Sequence, residues 1–327
     1  MQITLTQAIE GFLLEKAVAG CSPHTIRNYT LTLRRLSDHF DTDPPLRDIT
    51  ANQIRAFLRK LQTTQIAPAG PIPRPPRHLS PKTILNIHTC LSSLWTWATS
   101  EGYTDHHIIR DITPPDPDPP IIEPFTRDEI QALLRAAEYS APWKTRPHTR
   151  TARPPEIALR DKAIIYFFLD TGIRAAELCN LRLSDCDLQT GTALIIGKSR
   201  RGSGKGKQRL VYIGTNTRKA LWQYLATRDH QPDDPLFATR DGNPYDRRHI
   251  ARHLKRLGRR AGIKNVYPHR FRHTFAITYI RNGGDIFTLQ QILGHTTLDM
   301  VRRYLKIAQT DCETAHRRAS PVDNWRI

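Results

Sequence analysis

The sequence predicts a mainly α-helical protein with a small antiparallel β-sheet, arranged as two domains. Three observations predict it. Apolar residues recur at steps of three and four along most of the chain, in segments that open on helix-capping residues. One pair of short β-branched runs, Thr192–Ile196 and Arg209–Ile213, flanks a Gly- and Lys-rich connection, as in a hairpin. A proline-dense stretch, Asp111–Pro124, divides the chain; its prolines lack the N–H a helix needs and keep it extended and semi-rigid. With 327 residues the chain is long for one core and suits two.

The elements follow in order. Residues 4–18 read as a first helix. Ser22–Phe40 places Ile26, Tyr29, Leu33, Leu36 and Phe40 on one stripe, and Ser80–Ala98 does the same with Ile84, Ile87, Leu91, Leu94 and Ala98. Both begin Ser-Pro-x-Thr-Ile, with serine as cap and proline at the first helical position, where its missing N–H costs nothing. A further helix runs from Thr50 through Leu61, and residues 64–79 form a Pro-rich loop. We therefore expect a four-helix domain over 1–110, a linker over 111–124 and a second domain over 125–327. In the second domain Thr126 and Glu129 have the spacing of a capping box, opening a helix through Ala137. A Pro- and Arg-rich loop covers 139–156, and an apolar core helix covers Asp161–Asp170. After the hairpin, helices are expected near 216–228, 246–261, 269–282, 285–293, 297–307 and 310–318.

The net charge of +18 points to a polyanionic partner, and its distribution strengthens the reading. Residues 247–272 hold ten Lys or Arg and no acid; residues 196–218 hold seven and no acid. The five cysteines, Cys21, Cys90, Cys179, Cys186 and Cys312, show no C-x-x-C pair and read as incidental thiols of a reducing compartment. The N-terminus is polar and amphipathic rather than a signal peptide. The longest apolar run, Ala163–Leu169, is too short to span a bilayer. We expect a cytoplasmic protein, or a nuclear one in a host with a nucleus, and no membrane partner.

Four stretches carry the chemistry: TGIRAAEL around Arg174, HRFRHTFA around His269 and Arg272, LGH ending at His295, and RRYLK around Tyr304. Taken alone, an Arg and a Glu at i, i+3, such as Arg174 and Glu177, form a weak solvated pair, and a single tyrosine is most often half-buried packing. Together they supply what a phosphodiester reaction needs. His269 and Arg272 share one helix face at i, i+3. Two planar guanidinium groups, Arg174 and Arg272, can neutralise both non-bridging oxygens of one phosphodiester. Tyrosine is a poor nucleophile at its free pKa of about 10, but arginines nearby favour the phenolate and His269 can take its proton. His273 follows His269 at i+4 without a third ligand, so a zinc site is disfavoured. No carboxylate trio for paired metals and no Walker-type loop is present, so the chemistry calls for no metal or ATP cofactor.

These motifs, in this order and spacing, resemble the tyrosine recombinase (phage integrase) family, and the resemblance covers nearly the whole chain. It implies a front core-binding domain and a catalytic domain that close on duplex DNA as a C-shaped clamp. Arg174 and Arg272 resemble the activating arginine pair, and Glu177 the supporting acid. His269 resembles the histidine that handles the nucleophile's proton. His295 occupies the His-or-Trp position that donates to the scissile phosphate, and Tyr304 resembles the nucleophile that forms a 3′-phosphotyrosyl link. The family's hairpin lysine, which protonates the leaving 5′-oxygen, has two candidates here. Lys198 follows the apolar strand directly, and Lys205 sits in Gly-Lys-Gly; the strand context favours Lys198.

For DNA contacts the candidates are Arg27, Arg34, Arg35 and Lys82, off the apolar stripes of the front helices. In the second domain they are Arg200, Arg201 and Lys207 of the hairpin and the dense set Arg247, Arg248, Arg252, Lys255 and Arg259. Such contacts grip phosphate without reading sequence. The resemblance implies double-stranded DNA with paired inverted-repeat sites as partner, a dimer on each site and a tetramer in synapsis, with a terminal helix docking on the neighbouring protomer. The core-binding helices are expected to begin near residue 4, so we expect no arm-site domain ahead of them. Three readings compete with integration and excision of a mobile element: Xer-like dimer resolution, a non-catalytic DNA-binding protein of this fold, and a type IB topoisomerase. The completeness of the motif set disfavours the second, and the helical front domain disfavours the third. The extra loops at 64–79, 139–156 and 199–206 favour the mobile element.

Overall fold

Four helices build the N-terminal part: α1 (Leu5–Val18), α2 (Pro23–Ser37), α3 (Ala51–Thr63) and α4 (Pro81–Ser100). The computed structural model describes residues 3–65, 75–117, 122–139, 151–199 and 206–295, with positions 316, 320 and 322; for Lys198 and Ser199 it describes the backbone alone. The four helices start where their caps dictate. Thr4 and Thr50 close capping boxes with Gln7 and Gln53, while Ser22 and Ser80 accept from Thr25 N–H and Thr83 N–H behind an N1 proline. The expected stripe of α4 is buried throughout: Ile84, Ile87, Leu91, Leu94 and Ala98 meet Leu33, Leu36, Phe12 and Phe57 in one core. α2 stops at Ser37, short of the expected Phe40, yet Phe40 still packs against that core. Ile112, at the start of the Pro-rich stretch, is also buried there, after a 3-10 turn over Ile108–Asp111. Asp111 O accepts from Arg55 Nη2 at 2.8 Å. The chain divides into two compact units at Pro120–Ile121.

The second unit contains α5 (Arg127–Glu138), α6 (Pro155–Thr171), α7 (Ala175–Asn180), α8 (Thr215–Leu225), α9 (Arg247–Ala261), α10 (Pro268–Arg281) and α11 (Ile286–Leu293). It also contains an antiparallel sheet in the order β1-β2-β3, from β1 (Cys186–Asp187), β2 (Thr192–Ser199) and β3 (Gly206–Tyr212). The mainly helical architecture with one small antiparallel sheet is the predicted one. Three local expectations need correction. α6 begins at Pro155, inside the expected 139–156 loop: Pro155 sits at a permitted N-terminal position, and Ile157 and Leu159 of the first two turns are interleaved with polar Glu156, Arg160 and Asp161 rather than forming the continuous apolar run that starts at Ala163. The hairpin strands reach into the expected connection, pairing Ser199 with Gly206, and the irregularity falls between Ile196 and Ser199. β1 went unanticipated, since two residues show no alternation. The helices expected over 297–307 and 310–318 lie outside the described residues.

α6 is the central helix of this unit. Ala163, Ile164, Ile165, Phe167 and Phe168 are all fully buried, between the sheet, α5, α8 and α10. Phe271 of α10 packs on Phe125 and Phe168, with ring centroids 4.6 and 5.8 Å apart. A satellite cluster of Ala276, Ile277, Ile280, Leu289 and Leu293 seats α11 on α10. Cys90, Cys179 and Cys186 are free thiols that burial pushes up to about 12, too high for thiolate reactivity. No helix among the described residues is long and apolar enough to cross a membrane.

Candidate active site

The C-terminal ends of α6 and α11, the N-termini of α7 and α10, and strand β3 converge at one place. α6 ends at Gly172, whose left-handed φ of +59° turns the chain sharply. A side chain there would strike the Phe275 ring and come within 2.9 Å of Leu293. The turn presents Arg174 as the residue that caps α7. Its backbone N–H donates to Glu177 Oε2 at 2.8 Å, and its Nη1 donates to Glu177 Oε1 at 2.9 Å. Arg174 nevertheless keeps an exposed side chain, 44% accessible, at the edge of the site.

Arg272 behaves oppositely. One turn into α10, it is 1% exposed. Its Nη1 donates to Gly172 O at 2.7 Å, and its Nη2 to Leu293 O at 2.7 Å. Nη2 also lies 2.7 Å from His295 Nε2. A guanidinium has no acceptor, so Nε2 must accept here, which places the proton of the neutral ring on Nδ1. His295 follows Gly294, the left-handed cap of α11, and its backbone is closed by Gln290, which accepts from His295 N–H and donates to His295 O. Burial first, and then the charges of Arg272, Arg174 and Arg209, hold His295 down at about 4. His269 on the first turn of α10 is lowered by desolvation and then by Arg272 and Arg174, so both arginines act on it. The lowered values favour the neutral form of both histidines at pH 7, the form in which a ring nitrogen can accept a proton.

Arg209 is a component that motif reading overlooked. It projects from β3 and forks the Glu177 carboxylate, Nη1 to Oε1 at 3.0 Å and Nη2 to Oε2 at 2.8 Å, while its Nε donates to Ile292 O at 2.7 Å. Glu177 thus ties Arg174 and Arg209 together and fastens β3 to α7. Burial pushes its carboxyl upward, but the hydrogen bonds from Arg209 and from Arg174 N–H, with both cationic charges, outweigh this and leave it lowered. A signal did exist in the sequence. Residues 209, 211 and 213 share one strand face, and Val211 and Ile213 are buried. A cation on that inward face requires a buried anion. Arg270 was also passed over. It is buried, stacks 3.9 Å above the Phe125 ring and pairs with Glu129, and so fastens the start of this unit to α10.

The structure therefore brings together Arg174, Glu177, His269, Arg272 and His295 from three separate stretches of sequence. Lys198 lies in β2 with only its backbone described; Lys205, Arg200, Arg201 and Tyr304 lie outside the described residues. Lys207 is exposed on β3. Arg247, Arg248, Arg252, Lys255 and Arg259 are all exposed on α9, and Arg27, Arg34, Arg35 and Lys82 are exposed on α2 and α4 of the other unit. Among the described residues no group of three or more His, Cys, Asp or Glu could hold a metal ion.

Residues 123–310 match the phage integrase family, and residues 9–105 match the SAM-like N-terminal domain of phage integrases. The chain belongs to the phage integrase family. Its enzyme class is tyrosine site-specific recombinase. Among its relatives are tyrosine recombinase XerC of Oceanobacillus iheyensis, 24% identical over 99% of this chain and 98% of the relative, and tyrosine recombinase XerA of Thermococcus kodakarensis, 27% identical over 97% and 96%. XerC of Xylella fastidiosa is 34% identical over 149 residues, 45% of this chain and 49% of the relative. The fold is shared with the Tn1549 transposon integrase in complex with a circular intermediate DNA, at a TM-score of 0.70 and 18% identity, covering 96% of this chain and 99% of that one. It is shared too with a lambda integrase dimer bound to a COC′ core site, at 0.67 and 19%, covering 91% and 97%.

The buried neutral histidine makes stability depend on pH. Between pH 6.5 and about 4 the unfolded chain binds the proton that folded His295 refuses. The His295 contribution, on the order of 3 kcal/mol, is fully present above pH 6.5 and lost as the pH falls toward 4. Urea titrations across this window should show wild type losing stability relative to His295→Gln on acidification; a constant difference would exclude the linkage.

Proposed function

We propose that the chain cleaves and rejoins duplex DNA at paired inverted-repeat sites through a 3′-phosphotyrosyl bond at Tyr304. The observation that carries this reading is the gathering of Arg174, Arg272, His269 and His295 in one site, with Glu177 tying Arg174 to Arg209 and with Arg272 bonded to His295. In the proposed cleavage step the Tyr304 Oη attacks phosphorus and its proton passes to neutral His269. Arg174, accessible at the rim, and Arg272, fixed beneath it, neutralise the non-bridging oxygens, and His295 donates from Nδ1. The bond to the 5′-oxygen breaks, and that oxygen takes a proton from Lys198 or Lys205 and leaves as a hydroxyl. Reversal by another 5′-hydroxyl rejoins the strand, so no external energy source enters.

Duplex binding is assigned to the exposed cations. On α9 the buried residues Ile250, Leu254, Leu257 and Gly258 mark one side, and a 100° step per residue sets Arg248, Arg252, Lys255 and Arg259 on an opposite arc of about 60°. Cations stacked at these spacings repel one another, so the ridge makes sense facing a polyanion. The hairpin residues Arg200, Arg201 and Lys207 and the front-unit residues Arg27, Arg34, Arg35 and Lys82 are proposed as further phosphate contacts. A dimer on each site and a tetramer in synapsis complete the proposal. The assigned role is integration and excision of a mobile element, supported by the Pro-rich stretches that the sequence carries between α3 and α4 and between α5 and α6. The second reading, Xer-like dimer resolution, is favoured by full-length similarity to Xer recombinases.

The test is a nicked duplex carrying the inverted repeats that flank the gene. Wild type should become covalently attached to DNA; no adduct on the true site would refute the enzymatic reading. Arg272→Lys should slow adduct formation roughly 10²–10³-fold, because the single nitrogen of a lysine cannot replace the planar fork whose two terminal nitrogens reach separate acceptors. A change below threefold would show that Arg272 serves packing alone.

A further inference from the structure

Away from the reacting site, the second unit holds a basin with an unusual wall. The fully buried Asp161 carboxylate receives Arg153 Nη1 at 2.7 Å, His253 Nε2 at 2.8 Å, Arg160 Nη2 at 3.3 Å and Arg260 Nη2 at 3.9 Å. Above it opens a cavity of about 650 Å³ whose lining includes these three arginines and His253 together with Arg240, Arg256 and Arg259. The facing carboxylates are Asp241 in the lining and Asp161 beneath, so six arginines stand against two acids. Burial, and then the charge of Arg153, lower the Arg260 guanidinium, with Asp161 compensating only in part. Two wall atoms, Arg260 Nε and Thr239 Oγ1, are buried with no hydrogen-bond partner among the described residues.

Position and shape narrow the ligand. Arg160 lies twelve residues before Gly172 on α6, about 18 Å along the helix, so the basin belongs to the far end of that helix. Its volume falls within the range of small-molecule sites, roughly 300–1,000 Å³, and exceeds what one inorganic ion fills, yet its wall is cationic rather than apolar. Arg153 and Arg160 are held in place: Arg153 Nη1 also donates to Ala137 O, and Arg160 Nη1 donates to Ala238 O and its guanidinium lies over the Tyr245 ring. Pre-set guanidinium groups suit phosphate oxygens. The basin also continues outward. His249, Arg256 and Arg259 line it and at the same time line a second cavity of about 390 Å³, completed by Arg252 and Lys255 of the α9 ridge.

We infer that this basin is a phosphate-binding site separate from the reacting phosphate, seating backbone phosphates of duplex DNA beyond the α9 ridge. The inference rests on the DNA-binding reading of α9. Asp161 is its positioning residue: it offsets part of the arginine charge in the unliganded chain and keeps Arg153 and Arg160 from collapsing onto solvent.

The test is the double variant Arg240→Gln/Arg256→Gln, both exposed residues with no part in the reacting site. Affinity for a random-sequence duplex of about 30 base pairs is measured against salt, since each phosphate contact contributes about 0.9 to the slope of log affinity on log salt. Sodium tripolyphosphate is titrated calorimetrically in parallel, and thermal melting confirms the fold. A slope reduced by about 1–2 supports DNA phosphates as the occupant. An unchanged slope with tripolyphosphate binding lost supports the phosphate site with a free polyphosphate as its source. Unchanged slope and unchanged tripolyphosphate binding overturn it, while Arg252→Gln on the ridge still lowers the slope. Wild type without salt-dependent duplex binding would instead refute the recombinase reading, and the inference with it.

Discussion

Under the proposed mechanism Tyr304→Phe should yield no covalent protein–DNA complex on the nicked duplex expected to trap wild type. Phenylalanine keeps the ring and removes only Oη, so packing and charge are conserved and the loss is chemical. Tyr304 itself lies outside the described residues, and the described part of the site leaves the nucleophile's place open. In the proposed mechanism Arg174 and Arg272 neutralise charge and His269 accepts the proton, and the described groups offer no competing nucleophile: Glu177 is occupied by two arginines, and His295 Nε2 is turned to Arg272. Adduct formation should fall at least about 10⁴-fold, the scale on which enzymes lose a reacting group. Duplex affinity should stay within about twofold, because phosphate contacts carry the binding. An adduct surviving in Tyr304→Phe would move the nucleophile elsewhere. Equal activity of the two proteins in every DNA assay would favour the non-catalytic binding protein.

Glu177→Ala destabilises the second unit by about 3–5 kcal/mol, the usual cost of removing one partner from a buried ion pair. The Glu177 side chain is 6% exposed, and it accepts from two guanidinium groups and a backbone N–H. Its removal leaves Arg209, 10% exposed, without its anion, and leaves the first turn of α7 uncapped. Both halves of the site suffer: Arg174 loses the contact that aims it, and β3 loses its fastening to α7. Glu177→Gln should cost less, since an amide oxygen still accepts one donor. Calorimetric melting of the two variants against wild type reads the difference. A loss under about 1 kcal/mol in Glu177→Ala would show that Arg209 finds another partner. Because the Glu177 carboxyl is lowered in the fold, its contribution is present above the ordinary glutamate range, about pH 4.3, and disappears as the pH falls through its lowered value.

Legibility differed by kind of residue. Helices with full apolar stripes and caps, such as α4 with Ser80 and Pro81, could be read nearly to the residue, because capping and periodicity are local. α6 was legible only in its apolar part, since Arg160 and Asp161 contribute through a network with His253, 92 positions away from Asp161. The chemistry-bearing residues stood out because their types and order form a rare combination. Their support did not: Arg209 and Arg270 carry no motif, and each has its meaning only in the partner it meets. Arg209 faces Glu177 across 32 residues, and Arg270 faces Glu129 across 141. Lys198 and Lys205 stay as two candidates, as sequence reading leaves them.

By itself the sequence determined the mainly helical character with one hairpin, the basic ridge of α9, and the residue types able to act on a phosphodiester. These follow from periodicity, capping and charge density, which act between near neighbours. Tertiary structure decided that Arg272 is held at 1% exposure by three acceptors while Arg174 remains at the rim. It also decided that both histidines favour the neutral form and that six arginines gather over Asp161. These are matters of burial and of charges brought close in space, and no local pattern in a chain encodes how much water a side chain will lose.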